Sequence, residues 1–271
     1  MDRYKLVIRG EQPLNGDTYV SGGKNTSLAV IPATLLCEEP CIIENLPDIE
    51  DVRVLHRILL ELGAKVDFNT AEKRMTIDPR SVKSATVPFQ YSQMMRASYY
   101  FMGALLGRYG TADVGYPGGC DIGSRPIDQH IKGFSALGSE ISEYNGMMGL
   151  KGSLTGTIIN FDMVTVGATI NVMLAAVRAR GNTVLTNAAR EPHVVDVANF
   201  LNSMGAKIKG AGTDTIRIRG VEHLHGGTYT VIPDQIETGT LMIAAAATRG
   251  DVAIHGTIPT HMEALTAKLL E

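Results

Sequence analysis

A hydroxyl residue recurs at a fixed interval along the chain. Ser27, Ser98, Thr169 and Thr240 are spaced by 71 residues, without gaps. Six residues on from each lies an alanine, at Ala33, Ala104, Ala175 and Ala246. Each hydroxyl opens an apolar stretch: LAVIPATLL, YYFMGALLG, INVMLAAV and LMIAAAATRG. Such stretches read as buried helices, kept small at fixed positions so that neighbours approach closely. Solenoid repeats are shorter than this. The period therefore predicts α/β units packed into a compact pseudo-symmetric domain.

A second helix type lies between the first. Leu55, Ile58, Leu59 and Leu62 form a stripe that Gly63 closes. Val197, Phe200, Leu201 and Met204 repeat it before Gly205. Ile127, Ile131, Phe134 and Leu137 predict a third stripe ending at Gly138, and Met262, Leu265 and Leu269 start a fourth. Residues 215–219 (TIRIR) and 75–77 alternate as short strands. Ile8-Arg9-Gly10, Leu14, Gly16, Thr18 and Tyr19 recur as Ile218-Arg219-Gly220, Leu224, Gly226, Thr228 and Tyr229, all offset by 210. One unit with two helices is thus repeated almost four times. The chain stops at Glu271 inside the helix-like run 261–271, which predicts a fourth unit cut short.

Charge and cysteine content narrow the function. With 25 Lys and Arg against 28 Asp and Glu, the net charge is −3. A broad basic face for nucleic acid is not expected. No stretch approaches the roughly 18 apolar residues of a membrane span, and residues 1–12 carry no signal-like apolar region. Three cysteines make no disulfide framework, and the cytoplasm is the expected compartment. Cys37-x-x-x-Cys41 lacks a second ligand pair and no HExxH, GxGxxG or GxSxG motif occurs, so neither metal nor cofactor is expected. Nothing in the residues sets an oligomeric state.

Two segments carry candidate chemistry. Ser21-Gly-Gly-Lys24-Asn25 is a Gly-rich turn at the start of the first repeat helix. A helix N-terminus offers unpaired N–H groups and partial positive charge, and Lys24 adds a full one, which suits a phosphate or carboxylate. The alternative is a capped helix start with a solvated lysine. The equivalent corners carry Arg96 and Glu237, so the same structural corner is decorated differently in each copy. The second segment runs from Tyr116 to Asp128, with glycines around Cys120. It predicts an exposed loop whose thiol Arg125 and nearby helix N–H groups would activate as a nucleophile or proton donor. An incidental surface thiol is the alternative. Cys37 is expected in the core. His130 could face a ligand, but a solvated helix histidine is the expectation.

SGGKN (21–25), MMRAS (94–98), PGGCDIGSRPIDQHI (117–131), NAAREPHVVDVANFL (187–201) and DQIETGT (234–240) carry a resemblance that spans the whole chain. The sequence resembles the UDP-N-acetylglucosamine 1-carboxyvinyltransferases, enolpyruvyl transferases that commit sugar nucleotide to peptidoglycan and so to cell shape and division. The resemblance implies an α/β fold, a pseudo-symmetric domain of repeated βαβαββ units forming an inside-out α/β barrel. It implies a complete three-unit domain over 22–231, with 1–21 and 232–271 belonging to a truncated second domain. It implies transfer of enolpyruvate from phosphoenolpyruvate to the sugar 3′-hydroxyl, with no cofactor. Lys24 and Asn25 then bind phosphoenolpyruvate, and Cys120 is the thiol that protonates it or adds to it and that fosfomycin alkylates. Arg96 and the stretch Arg125, Pro126, Ile127, Asp128 and Gln129 hold the sugar nucleotide. Thr165, Val166 and Gly167 line its uridine side.

There are departures. Met163 stands where the family often has a lysine near the diphosphate, and Gln235 replaces a frequent arginine. The family runs to six units and supplies a catalytic Asp and two Arg beyond Glu271, so these residues alone are expected to lack turnover. The shikimate-type transferases share the repeat but not the Cys loop. A degenerate sugar-nucleotide-binding paralogue is the non-catalytic alternative.

Overall fold

The computed structural model describes residues 5–118 and 126–271. The first repeat contains β1 (Asn15–Tyr19), α1 (Lys24–Ala33), β2 (Cys41–Glu44), α2 (Glu50–Leu62) and the hairpin β3 (Lys65–Asn69) and β4 (Arg74–Asp78). The second runs through β5 (Thr86–Val87), α3 (Phe89–Met94), a 3-10 turn at Arg96–Tyr99, α4 (Tyr100–Tyr109), β6 (Thr111–Gly115), α5 (Asp128–Ala136), β7 (Glu140–Tyr144) and β8 (Met147–Lys151). The third has β9 (Ile158–Asn160), α6 (Val166–Ala176), β10 (Asn182–Thr186), α7 (Pro192–Ser203), β11 (Lys207–Lys209) and β12 (Thr215–Arg219). The fourth has β13 (Gly227–Thr230), α8 (Gln235–Thr248), β14 (Asp251–His255) and α9 (Glu263–Leu270).

The recurring hydroxyls have a local cause. Ser27, Ser98 and Thr169 are buried, and a hydroxyl buried in an apolar helix needs a partner, for which the carbonyl one turn back is the nearest; the exposed Thr240 makes the same bond. Ser27 Oγ donates to Gly23 O at 2.8 Å, Thr169 Oγ1 to Thr165 O at 2.7 Å, and Thr240 Oγ1 to Ile236 O at 2.8 Å. Ser98 Oγ donates to Met95 O at 2.9 Å. Here the second unit departs from the first. Met95 is fully extended (φ −152°, ψ 145°) and separates α3 from the tight turn Arg96–Tyr99, so α4 begins only at Tyr100. The amphipathic helices end as expected, with left-handed glycines at Gly63 (φ 96°) and Gly205 (φ 104°).

Strand pairing repeats too. The strand before a repeat helix pairs parallel with the strand after it, as β5 does with β6 and β9 with β10. The second strand then pairs antiparallel with the far strand of the hairpin. The resulting sheets have the orders β5-β6-β8-β7, β11-β12-β10-β9 and β13-β2-β4-β3. The last sheet is opened by β13 from the fourth unit, while β1 pairs parallel with β14. The two segments matched at an offset of 210 have therefore exchanged sheets. Among the described residues the sheets remain separate and do not close into one hydrogen-bonded barrel. The chain forms two compact units, Gly23–Ile232, and residues 5–22 with Pro233–Glu271.

Within Gly23–Ile232, helices α1, α4 and α6 are almost wholly buried and the sheets lie outside them. Their close approach depends on glycine. A Cβ on Gly103 of α4 would fall 2.1 Å from Asn171 O of α6. One on Gly133 of α5 would meet Val172 Cγ2 at 2.3 Å. In the smaller unit, α8 is of the same apolar type but leaves Ile236 and Ile243 more than half exposed.

At the C-terminal ends of α1, α4 and α6, one carboxylate gathers two arginines and a histidine. Glu38 accepts from Arg108, from Arg178 at 3.4 Å and from His223 Nδ1 at 2.9 Å. Partial burial pulls its pKa upward, but the hydrogen bonds from His223 and Arg108 outweigh this and hold it below the ordinary value.

Two outcomes follow for stability. Gly103→Ala forces α4 and α6 apart and costs about 3 kcal/mol, read as a lower urea midpoint at unchanged slope; a variant as stable as its parent would refute the close crossing. Glu38→Ala leaves Arg108 and Arg178 facing each other and costs about 2 kcal/mol near neutral pH. Because the folded pKa of Glu38 is lowered, its contribution is full above the unfolded value and disappears as pH falls through the folded one. The gap between parent and variant should therefore narrow in acid, and a constant gap would contradict the assignment.

Candidate active site

The N-terminal ends of the three central helices open on one cleft of about 960 Å³ inside Gly23–Ile232. Lys24 and Asn25 enter it from the first turn of α1, Arg96 and Ala97 from the turn before α4, and Val166 and Gly167 from the first turn of α6. Neither α1 nor α6 has a side-chain cap, so their first N–H groups point outward as donors. Three helix starts and the cations Lys24 and Arg96 offer donors suited to an anion, while Asp51, Asp128 and Glu191 line the same cleft. Lys24 is ion-paired with Asp51, which stands in the first turn of α2 and lines the same cleft. The Arg96 guanidinium sits 5.7 Å from the centre of the Tyr99 ring.

The residues around α5 divide. Pro126 is exposed and Asp128 and Gln129 line the cleft, whereas the Ile127 side chain is turned into the apolar core at 8% exposure. Gln129 ties two walls together: its Nε2 donates to Asp128 Oδ2 at 2.8 Å and to Asp162 Oδ2 at 3.1 Å, and its Oε1 accepts from Asp162 N at 3.0 Å. Lys132 secures the same aspartate at 2.5 Å. Thr165 precedes α6 in an extended conformation and accepts from Thr169. Met163 and Val164 stand exposed at the rim. Cys120 and Arg125 lie outside the described residues. The chain on either side of them is placed by Gly118, whose N–H donates to Ser92 O at 2.9 Å, and by Pro126 at the cleft.

His130 corrects the sequence reading. It is 3% exposed rather than solvated. Burial pushes its pKa down to about 3, the charge of Arg96 adds to this, and Asp128 opposes it. The imidazole is therefore neutral near physiological pH. Its ring packs edge-on against Tyr99 at 4.7 Å. The cause is a register slip in the reading of α5. Counted back from the terminal glycines, His130 stands eight residues before Gly138, as Leu55 stands before Gly63 and Val197 before Gly205. All three positions are buried, and the inward stripe of α5 is His130, Gly133, Phe134 and Leu137.

Sequence reasoning also missed Asp51, Tyr99, Tyr100, Glu191 and His193 in the cleft lining. A signal existed for the tyrosines. They occupy the positions of Leu28 and Ala29 in the first repeat, so they are departures of the same kind as Arg96. Asp51 gave none, because an acidic residue in a first helical turn is ordinary dipole compensation. Among the described residues, no group of three or more His, Cys, Asp or Glu is placed to hold a metal ion, and no helix is long and apolar enough to cross a membrane.

The model of the EPSP synthase (3-phosphoshikimate 1-carboxyvinyltransferase) family matches residues 8–271. The chain belongs to that family. Within it, the chain is 57% identical over 268 residues to UDP-N-acetylglucosamine 1-carboxyvinyltransferase 3 of Caldanaerobacter subterraneus subsp. tengcongensis, covering 98% of this chain and 64% of that one. It is 53% identical to UDP-N-acetylglucosamine 1-carboxyvinyltransferase 2 of Bacillus subtilis, again over 98% of this chain, and 62% of the relative. The chain thus spans somewhat under two thirds of the length of these relatives. Among solved structures, the enolpyruvyl transferase NikO from Streptomyces tendae superposes with a TM-score of 0.76 at 27% identity, over 87% of this chain and 56% of that one. EPSP synthase from Acinetobacter baumannii shares the fold at a TM-score of 0.75 and 19% identity, over 96% of this chain and 61% of that one.

The Lys24–Asp51 pair is half exposed on the lysine side. Asp51→Asn should shift stability by less than about 1 kcal/mol and tighten binding of inorganic phosphate severalfold at low salt. Calorimetric titration checks this, and weaker phosphate binding would count against Lys24 as an anion ligand.

Proposed function

We propose that this chain forms the nucleotide-binding wall of a UDP-N-acetylglucosamine 1-carboxyvinyltransferase. The whole protein would transfer enolpyruvate from phosphoenolpyruvate to the 3′-hydroxyl of UDP-N-acetylglucosamine and release phosphate, in the cytoplasm. The observation that carries this reading is the convergence of three helix N-termini with Lys24 and Arg96 on one cleft. It occurs in a chain 52–57% identical to relatives bearing that name. The sugar nucleotide and phosphoenolpyruvate are both polyanions, so a cleft of donors suits both.

The chemistry assigns work to each group. The sugar hydroxyl adds to C2 of phosphoenolpyruvate while C3 gains a proton. The adduct then loses that methyl group's proton and inorganic phosphate, leaving an enol ether. Lys24 and Asn25 hold the phosphate and carboxylate of the donor. Cys120 supplies the C3 proton or adds to C2. Arg96, Arg125, Pro126, Ile127, Asp128 and Gln129 hold the sugar nucleotide, Ile127 through its backbone. Thr165, Val166 and Gly167 take its uridine side. In this reading residues 22–231 are a complete three-unit domain, and 1–21 with 232–271 contribute to a second.

Transfer to shikimate 3-phosphate is the second reading, supported by the name of the family model. The solved EPSP synthases are only 19% identical, against more than half for the sugar-nucleotide relatives.

Incubation with fosfomycin and UDP-N-acetylglucosamine, read by intact mass, separates the two. A single adduct that requires the nucleotide and disappears in Cys120→Ser is the expected result. A wild-type chain that binds shikimate 3-phosphate and neither takes the adduct nor binds the nucleotide would overturn the proposal.

A further inference from the structure

The polar pair beneath the cleft has a directional logic. Asn171 stands in α6 at the repeat position held by Ala29 in the first unit and Tyr100 in the second, and it is fully buried. His130 likewise occupies a position given to Leu55 and Val197. Two core positions of a symmetric scaffold have thus turned polar in the same unit pair, facing each other.

The hydrogen bonds leave one arrangement. The Gly103 N–H donates to Asn171 Oδ1 at 2.8 Å, which fixes that atom as oxygen. Asn171 Nδ2 then donates to Tyr99 O at 2.8 Å and lies 3.0 Å from His130 Nδ1. Since Nδ2 has only protons to offer, Nδ1 must present its lone pair. The proton of the neutral imidazole is therefore on Nε2. Among the described residues Nε2 has no hydrogen-bond partner, and His130 lines the cleft. A Cβ on Gly167 would lie 3.1 Å from Nε2 and 2.7 Å from the Tyr99 hydroxyl, so the bare first turn of α6 leaves both groups access to a ligand.

We propose that Asn171 is a positioning residue: it locks His130 as the Nε2–H tautomer, so that a neutral imidazole donates beside the α6 N-terminus to a phosphate oxygen of the bound sugar nucleotide. The ligand part of this inference rests on the function proposed above. A neutral donor recognises an anionic oxygen without gaining or losing a proton as ligand arrives. The titratable groups that face His130 are Arg96 and Tyr99 from the turn before α4 and Asp128 from its own helix. The α6 sequence VGATINVMLAA contributes none.

Long-range 1H–15N spectra of the 15N-labelled chain test the lock without ligand. The expected result is one His130 tautomer, protonated on Nε2, with no titration between about pH 5 and 8. A His130 that titrates in that range, or carries its proton on Nδ1, overturns the proposal. Titration with UDP-N-acetylglucosamine tests the donor. His130→Ala should lose about tenfold in affinity, while His130→Gln, whose amide nitrogen reaches the place of Nε2, retains most of it. Equal affinity of His130→Ala and wild type overturns the donor role. Asn171→Asp should bring His130 into the visible titration range and make nucleotide affinity rise as pH falls, which a purely structural asparagine would not do. If that variant does not fold, the wild-type tautomer and the His130 variants decide. A wild-type chain with the expected tautomer that binds no UDP-N-acetylglucosamine overturns the sugar-nucleotide reading and leaves the Asn171–His130 lock standing.

Discussion

The contact between Gly103 and Asn171 fixes the geometry on which the cleft depends. Two helices packed through ordinary side chains stand 8–10 Å apart. Here the missing side chain of Gly103 lets α4 meet the backbone of α6, and the buried Gly103 N–H donates to Asn171 Oδ1. Gly133 makes room on α5 for the Val172 side chain of α6. Contacts through backbone leave little slack, because no flexible side chain can absorb a shift. The helices therefore cannot slide along one another, and their first turns are held around one opening.

That opening has a sign because of how the helices point. The repeat sets all three central helices with their N-termini toward the cleft and their C-termini toward Glu38. Partial positive charge gathers at one end and partial negative charge at the other. Side-chain charge follows each end differently. At the C-termini, Arg108 and Arg178 complement the dipoles while Glu38 joins them. At the N-termini, cations are added where the dipole is already positive, which raises the potential instead of relieving it. Asp51, Asp128 and Glu191 line the same cleft, so its positive character is local to the helix starts with Lys24 and Arg96 rather than spread over the whole wall.

Much of this was legible in the sequence because burial leaves a periodic trace. The interval of 71 residues located all four repeat helices, and the left-handed glycines located the ends of α2 and α7. The departures from symmetry at Lys24 and Arg96 marked residues that the fold brings to one cleft. What stayed hidden depended on register or on partners. The stripe of α5 was set by its isoleucines, and His130 fell outside it, because a histidine in a core position does not look apolar. The match at an offset of 210 revealed equivalent strands, but only the pairing shows that β1 and β13 trade sheets. Pairing depends on which edges meet in space, and a strand sequence does not name its neighbour.

A symmetric scaffold explains why the informative residues are the exceptions. Three units built alike satisfy the same packing demands, so any shared residue is accounted for by the fold. A polar group at a position that a sister unit fills with leucine, valine or alanine has no such account. His130 and Asn171 each carry a desolvation cost that the fold does not require. That cost is offset because they satisfy one another and the Tyr99 and Gly103 backbone, leaving one donor over. Asn171 and His130 use every polar side-chain atom they have but Nε2, and that donor faces the cleft opened by three helix N-termini, where a ligand oxygen would complete the set.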